Sequence, residues 1–179
     1  MWRNISKYYP PWLDLVLILL MVMAGLYTHG QYAALPERFP THFGFQGLPD
    51  AWKEKSLLNV YLPLLIGIAT CSFISGLNYF CIVKPEDPRR FINLPINRKA
   101  PINAEKLEAL RQNCIYMMIS VNVLMAGIFT VIQIGAVEVA LSRKTGLGIM
   151  IYVFMVLLLM VIVYFSAKLI SIASHKEAG

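Results

Sequence analysis

The stretch GIMIYVFMVLLLMVIVYFSAKLI, Gly148 to Ile170, carries a single charged side chain, Lys168, and no proline. A helix rises 1.5 Å per residue, so this stretch is long enough to cross the roughly 30 Å hydrocarbon layer of a bilayer. Three more apolar runs share its character: Trp12–Tyr27, Leu57–Val83 and Cys114–Ala140. Hydrophobic residues make up 58% of the 179-residue chain and charged residues 15%, against about 25% charged in soluble domains. Lipid is therefore the solvent for most of this surface, and each span must satisfy its own backbone hydrogen bonds as a helix. The expected fold is all-α: one integral membrane domain over residues 1–179, with four transmembrane helices at about 11–30, 51–83, 104–140 and 147–173. An outer loop at 31–56 and a cytoplasmic loop at 84–103 join them. The first apolar run exceeds the usual apolar core of a signal peptide and lacks a small-residue cleavage site after it, so it reads as a retained anchor.

Net charge is +6, but the basic residues sit at the ends of apolar runs and form no basic, aromatic face that a nucleic acid could follow. Eleven of the Lys and Arg residues lie in the N-terminal tail, the connection at 84–103, the start of the third helix and the C-terminal end. The other five are Arg38, Lys53, Lys55, Arg143 and Lys144. The positive-inside rule then places both termini and the 84–103 connection in the cytoplasm, and the 31–56 loop outside. Lys168 is near enough to a helix end to snorkel. Cys71, Cys81 and Cys114 fall in or beside apolar runs without C-x-x-C spacing, so they read as packing residues and no cofactor or metal is implied.

Pro10-Pro11 precedes the first helix, where missing N–H groups do no harm, and Asp14 falls in its positively polarised first turn. Asn103 is positioned to cap a third helix beginning at Ala104, with Glu105 in its first turn. Pro85, Pro88, Pro95 and Pro101 exclude a continuous helix through the middle connection, a basic segment that could meet a protein partner or anionic lipid. Pro63 interrupts the second helix and frees a carbonyl. That helix carries Gly67, Cys71, Ser75 and Asn78 at steps of four, four and three; the third repeats those steps with Asn122, Ala126, Thr130 and Gln133. Each set makes a narrow stripe, suited to a helix–helix seam or a polar pathway. The fourth helix is apolar all round and should face lipid.

The connection LPERFPTHFGFQGLPDAWKEKS, Leu35 to Ser56, is unlike a polar turn. Pro36, Pro40 and Pro49 restrict it, Gly44 and Gly47 allow tight turns, and Leu35, Phe39, Phe43, Phe45, Leu48 and Trp52 suit a membrane interface. PDAWKEKS reads as a helix start with Asp50 as N-cap. Long ordered loops tend to be functional. Leu35, Pro36, Pro40, Thr41, His42, Phe43, Gly47, Pro49, Asp50, Trp52 and Lys55 resemble the signature of the domain of unknown function 1648 family. That domain also occurs in SdpI-type bacterial immunity and signal membrane proteins. The resemblance implies a bacterial inner-membrane protein related to chains that protect cells from a secreted toxic peptide and report it to a transcriptional repressor. Those relatives have two further spans, for which this chain has no room.

The residues favour a non-enzymatic binding protein whose outer loop meets a peptide, lipid or envelope ligand through Thr41, His42, Asp50, Trp52 and Lys55. The alternatives are an accessory subunit of a membrane complex or transporter, and a membrane enzyme or metal site using His42 with His29, Glu37 or Asp50. No spacing matches a metalloprotease helix or a nucleophile elbow. Sidedness is directly testable: with a membrane-impermeant maleimide, intact cells should label Gln46→Cys and leave Asn93→Cys unlabelled. The reverse pattern overturns the orientation.

Overall fold

The computed structural model describes residues 6–91 and 102–174. Helix α1 spans Trp12–Gln31, a β-hairpin follows with β1 at Arg38–Phe43 and β2 at Pro49–Glu54, α2 spans Leu57–Leu77, α3 Ala104–Ala140 and α4 Met150–Ser174. With their short extensions, all four helices are long and apolar enough to cross a membrane. The hairpin and the α3–α4 turn occupy one end of the bundle. Tyr9, Ile82, Val83, Leu110 and Ala173 gather in a core at the other.

Helix α3 is the axis: it packs against α1, α2 and α4, while α4 rests chiefly on α3 alone. The lipid-type exposure of α4 follows, with only Ile151 and Ala173 buried. Gly67 is where α2 meets α3 closely; a Cβ there would come within 2.7 Å of the Phe129 Cβ. Cys71 and Ala126 are buried in the core shared with Leu17, Met21 and Ala24 of α1.

Gln133 joins three helices in the hairpin-side half. It is fully buried. Its Oε1 accepts from the Leu64 backbone N–H at 3.1 Å, and its Nε2 donates to the Val60 carbonyl at 2.9 Å and to Thr28 Oγ1 at 3.0 Å. Val60 and Leu64 are an i, i+4 pair flanking Pro63, so the carboxamide sits across the turn that proline disturbs. The Thr28 hydroxyl donates onward to the Ala24 carbonyl. One helical turn away Thr130 reaches the Leu20 carbonyl of α1 at 3.5 Å, so the α3 stripe serves α1 as well as α2. Towards the other end, Asn122 Nδ2 donates to the Cys71 carbonyl and to Ser75 Oγ.

Below Leu77 the second helix widens into a π-turn, Asn78–Val83. Its last carbonyls meet Arg111 of α3, a buried guanidinium that donates to Ile82 O (2.6 Å), Val83 O (3.3 Å), Pro85 O (2.7 Å) and Glu86 O (2.7 Å). Arg111 thus does for α2 what C-terminal caps do elsewhere, by supplying donors to orphan carbonyls. Asp87 then caps the turn at Pro88–Arg90, and hydrogen bonds from Arg89 hold its carboxyl below the usual carboxylate range. At the start of α3, Asn103 Oδ1 accepts from Lys106 N at 2.7 Å.

Two expected boundaries are corrected. Residues 51–56 do not begin the second helix: Ala51–Glu54 lie in β2, and the helix is capped by Ser56, whose Oγ accepts from Asn59 N at 3.1 Å. Strand pairing with β1 claims the backbone that Asp50 would have capped. The fourth helix begins at Met150, not 147, because Gly148 has φ of +74°, outside the right-handed helical region. The basic connection at 84–103 lies partly outside the described residues, Arg98 and Lys99 included.

Replacing Gln133 by Ala should lower stability by about 1–2 kcal/mol, since it strips buried partners from Val60 and Leu64. Thr130→Ala, which loses one long bond, should cost much less. Thermal melting in detergent checks both, and equal melting points would refute the ranking.

Candidate functional site

The hairpin is built by pairing Arg38 with Glu54, Phe39 with Lys53, Pro40 with Trp52, His42 with Ala51 and Phe43 with Pro49. Thr41 and Asp50 are the residues left over, so each strand carries an irregularity, one on each side of the His42–Ala51 pair. Prolines are tolerated because in a two-stranded ribbon each strand keeps one unpaired edge. Gly47 N donates to Gly44 O and Gly44 N to Leu48 O, closing a three-residue loop. Gly47 has φ of +71°, the left-handed conformation that this loop type requires of its last residue.

The hairpin is anchored at both ends. At its base Leu35 and Phe39 are buried against Val60, Ala136, Val137 and Ala140. Lys55 N donates to Glu37 O at 2.6 Å, while Lys55 Nζ donates to the Leu35 carbonyl at 3.0 Å and lies 4.7 Å from the Tyr32 ring centroid. At its tip Leu147 N donates to Gly47 O at 2.9 Å, and Tyr152 Oη of α4 donates to Phe45 O at 2.8 Å. Gly146 passes so close that a Cβ would lie 2.5 Å from Gly47 O. The Phe45 side chain beyond this clamp is 92% exposed.

The five residues singled out in the loop divide between two faces. Thr41 and His42 line a groove of about 540 Å³ between the hairpin, α3 and α4; its other walls include Ile128, Ile132, Ile151, Met155 and Leu158. Trp52 and Lys55 line a separate, more polar concavity with Glu37, Arg38, Lys53 and Glu54. Asp50 joins the first group through His42, whose Nδ1 is 2.5 Å from Asp50 Oδ1. Both side chains are open to solvent, 68% and 51% exposed. Lys55 belongs to the scaffold, tied down as described. Thr41 is spoken for weakly, its Oγ1 donating to Ala51 O at 3.5 Å.

This geometry fixes the His42 ring by its Nδ1 and leaves Nε2 without a hydrogen-bond partner among the described residues. An imidazole so oriented presents one polar atom at the edge of an apolar groove. Among the described residues no serine, cysteine or threonine is bonded to it as a nucleophile would be. Among the described residues no group of three or more His, Cys, Asp or Glu could hold a metal ion. Of the helix stripe, Asn122 and Gln133 spend their amide N–H groups on neighbouring helices, Asn78 is buried on the π-turn, and the Oδ1 atoms of Asn78 and Asn122 have no hydrogen-bond partner among the described residues.

Other residues of this end carry no motif. Glu138 accepts from Tyr27 Oη and from Arg143 Nη1, and Arg143 Nη2 donates to Gln31 Oε1 at 3.2 Å. Their signal in the sequence is only that charged residues interrupt the end of an apolar run.

Residues 16–67 match the family described as domain of unknown function (DUF1648). The match runs from Val16 within α1 through the whole hairpin to Gly67 of α2. No curated protein and no solved structure matches the chain.

The tip clamp makes a measurable demand. Gly146→Ala should push the tip off the α3–α4 turn and increase protease cleavage within 44–48 several-fold. Gly30→Ala, with open space around it, should leave the digestion unchanged. Identical digestion of both variants would show that the clamp does not hold the hairpin.

Proposed function

We propose that this chain, with its DUF1648 match centred on the hairpin, is a non-enzymatic binding protein of the bacterial cytoplasmic membrane. The N- and C-termini are cytoplasmic, and the hairpin faces outward to meet a ligand that arrives at or within the outer leaflet. One observation supports this reading above the rest: the His42–Asp50 pair stands at the mouth of a groove whose walls are otherwise almost wholly apolar. Sites of this size, with few polar groups among apolar walls, suit small or amphipathic ligands, for which about 300–1,000 Å³ is usual. The ligand's apolar part enters the groove, and its polar part meets His42, Asp50 and Thr41. A clamped hairpin loses little entropy on binding, which favours recognition of a ligand.

The immunity role follows as the biological form of this reading: a membrane-active peptide or envelope component is sequestered at the hairpin. Cells expressing the chain should survive at least one of a panel of secreted membrane-active peptides better than cells lacking it. The double variant His42→Ala, Asp50→Ala should lose most of that protection while reaching the membrane in equal amount. Protection retained in full by the double variant would remove His42 and Asp50 from the site, and protection absent throughout the panel would end the immunity role.

A further inference from the structure

A second concavity adjoins the groove. It measures about 490 Å³, and Gly47 and Tyr152 line both spaces. The two differ in character. The groove is walled by Ile128, Ile132, Met155 and Leu158, which lie inside the spans of α3 and α4. The neighbouring cleft is lined by Gln46, Ser142, Arg143, Lys144 and Thr145, all outside the spans. We propose that groove and cleft together form one site for an anionic phospholipid of the hairpin-side leaflet. An acyl chain lies in the groove between α3 and α4, and the phosphate lies in the cleft beside Arg143 and Lys144. The assignment rests on reading the hairpin face as a binding face, and it names the chemistry of the occupant.

Three observations support lipid. The groove runs along membrane-spanning helices, where acyl chains are the surrounding solvent. The cleft sits at the ends of those same helices, the depth at which headgroups lie. Its charge is complementary to an anion. Among the described residues the Lys144 ammonium makes no ion pair within 4 Å and acts on Glu138 only through space. Arg143 is held in place by Glu138 and Gln31, yet its side chain remains half exposed. The acidic group that faces these cations, Glu138, is largely covered and already engaged by Tyr27 and Arg143. A zwitterionic headgroup gains less from such a cleft than an anionic one, because a basic side chain near the membrane surface favours anionic lipid by roughly three- to tenfold.

The test uses the full-length protein purified in detergent, titrated with dioleoyl-phosphatidylglycerol or dioleoyl-phosphatidylcholine, with bound lipid counted by native mass spectrometry. The phosphatidylglycerol should be retained three- to tenfold better than the phosphatidylcholine. Lys144→Glu should bring the two lipids to parity. Ile132→Trp, which fills the groove, should lower retention of both, and Ile18→Trp on the exposed flank of α1 should change neither. If Ile132→Trp melts early, Met155→Trp replaces it. Equal retention of the two lipids by the unmodified chain overturns the proposal, as does retention that is indifferent to a filled groove. So does a dimer, or a bound peptide, that the filled groove abolishes in place of lipid. Should lipid selectivity fail while His42→Ala, Asp50→Ala still abolishes peptide protection, the binding-protein reading stands and only the phospholipid assignment falls.

Discussion

The bundle depends on one buried carboxamide. Gln133 offers an acceptor and two donor hydrogens, and all are taken by groups on two other helices. Between apolar helices in lipid there is little hydrophobic force to set rotation or depth, because tails and leucines are alike as solvents. A directional contact fixes what packing leaves degenerate. Since it engages the backbone on both sides of Pro63, the carboxamide also meets the place where α2 is least able to satisfy itself. Asn122 repeats the device lower in the seam, bonding a backbone carbonyl and a serine of α2.

Arg111 plays the corresponding part at the opposite end, with charge in place of an amide. A guanidinium so covered is costly unless its donors are used. Here they meet the carbonyls left at the end of the π-turn and after it, and Glu108 lies 3.2 Å from Nε. The consequence is mutual: the helix end needs donors, and the buried cation needs acceptors. Long α3 therefore organises the fold from both ends, while α4 is appended to it along one side.

The four spans are legible in the sequence because hydrocarbon thickness imposes a length, and composition alone records it. The Asn103 cap is legible for a similar reason: its geometry is local. The hairpin is not. Pro40 and Pro49 argue against strands, and PDAWKEKS has the lettering of a helix start. What decides the matter is pairing between segments separated by a turn, helped by the burial of Phe39 against α3. Arg111 leaves a faint trace, since it shares the face of Leu107, Leu110 and Cys114 where a lipid-facing or buried apolar residue would be ordinary. In the loop, His42 and Asp50 stand out by type, but their being in contact, and the separation of Trp52 and Lys55 onto another face, depend on the strand irregularities. That Lys55 is also bonded to the Leu35 carbonyl and lies over the Tyr32 ring has no trace in the composition.

The fastening between the hairpin tip and the start of α4 bears on how force could travel through the molecule. Gly47 and Phe45 are bonded to Leu147 and Tyr152, and the far end of α4 places Ala173 in the core with Tyr9 and Ile82. Anything that pries the tip upward must either rupture those two bonds or drag a helix whose far end is packed at the opposite end of the bundle. The same two bonds that hold the hairpin tip in place thus couple it to a shaft.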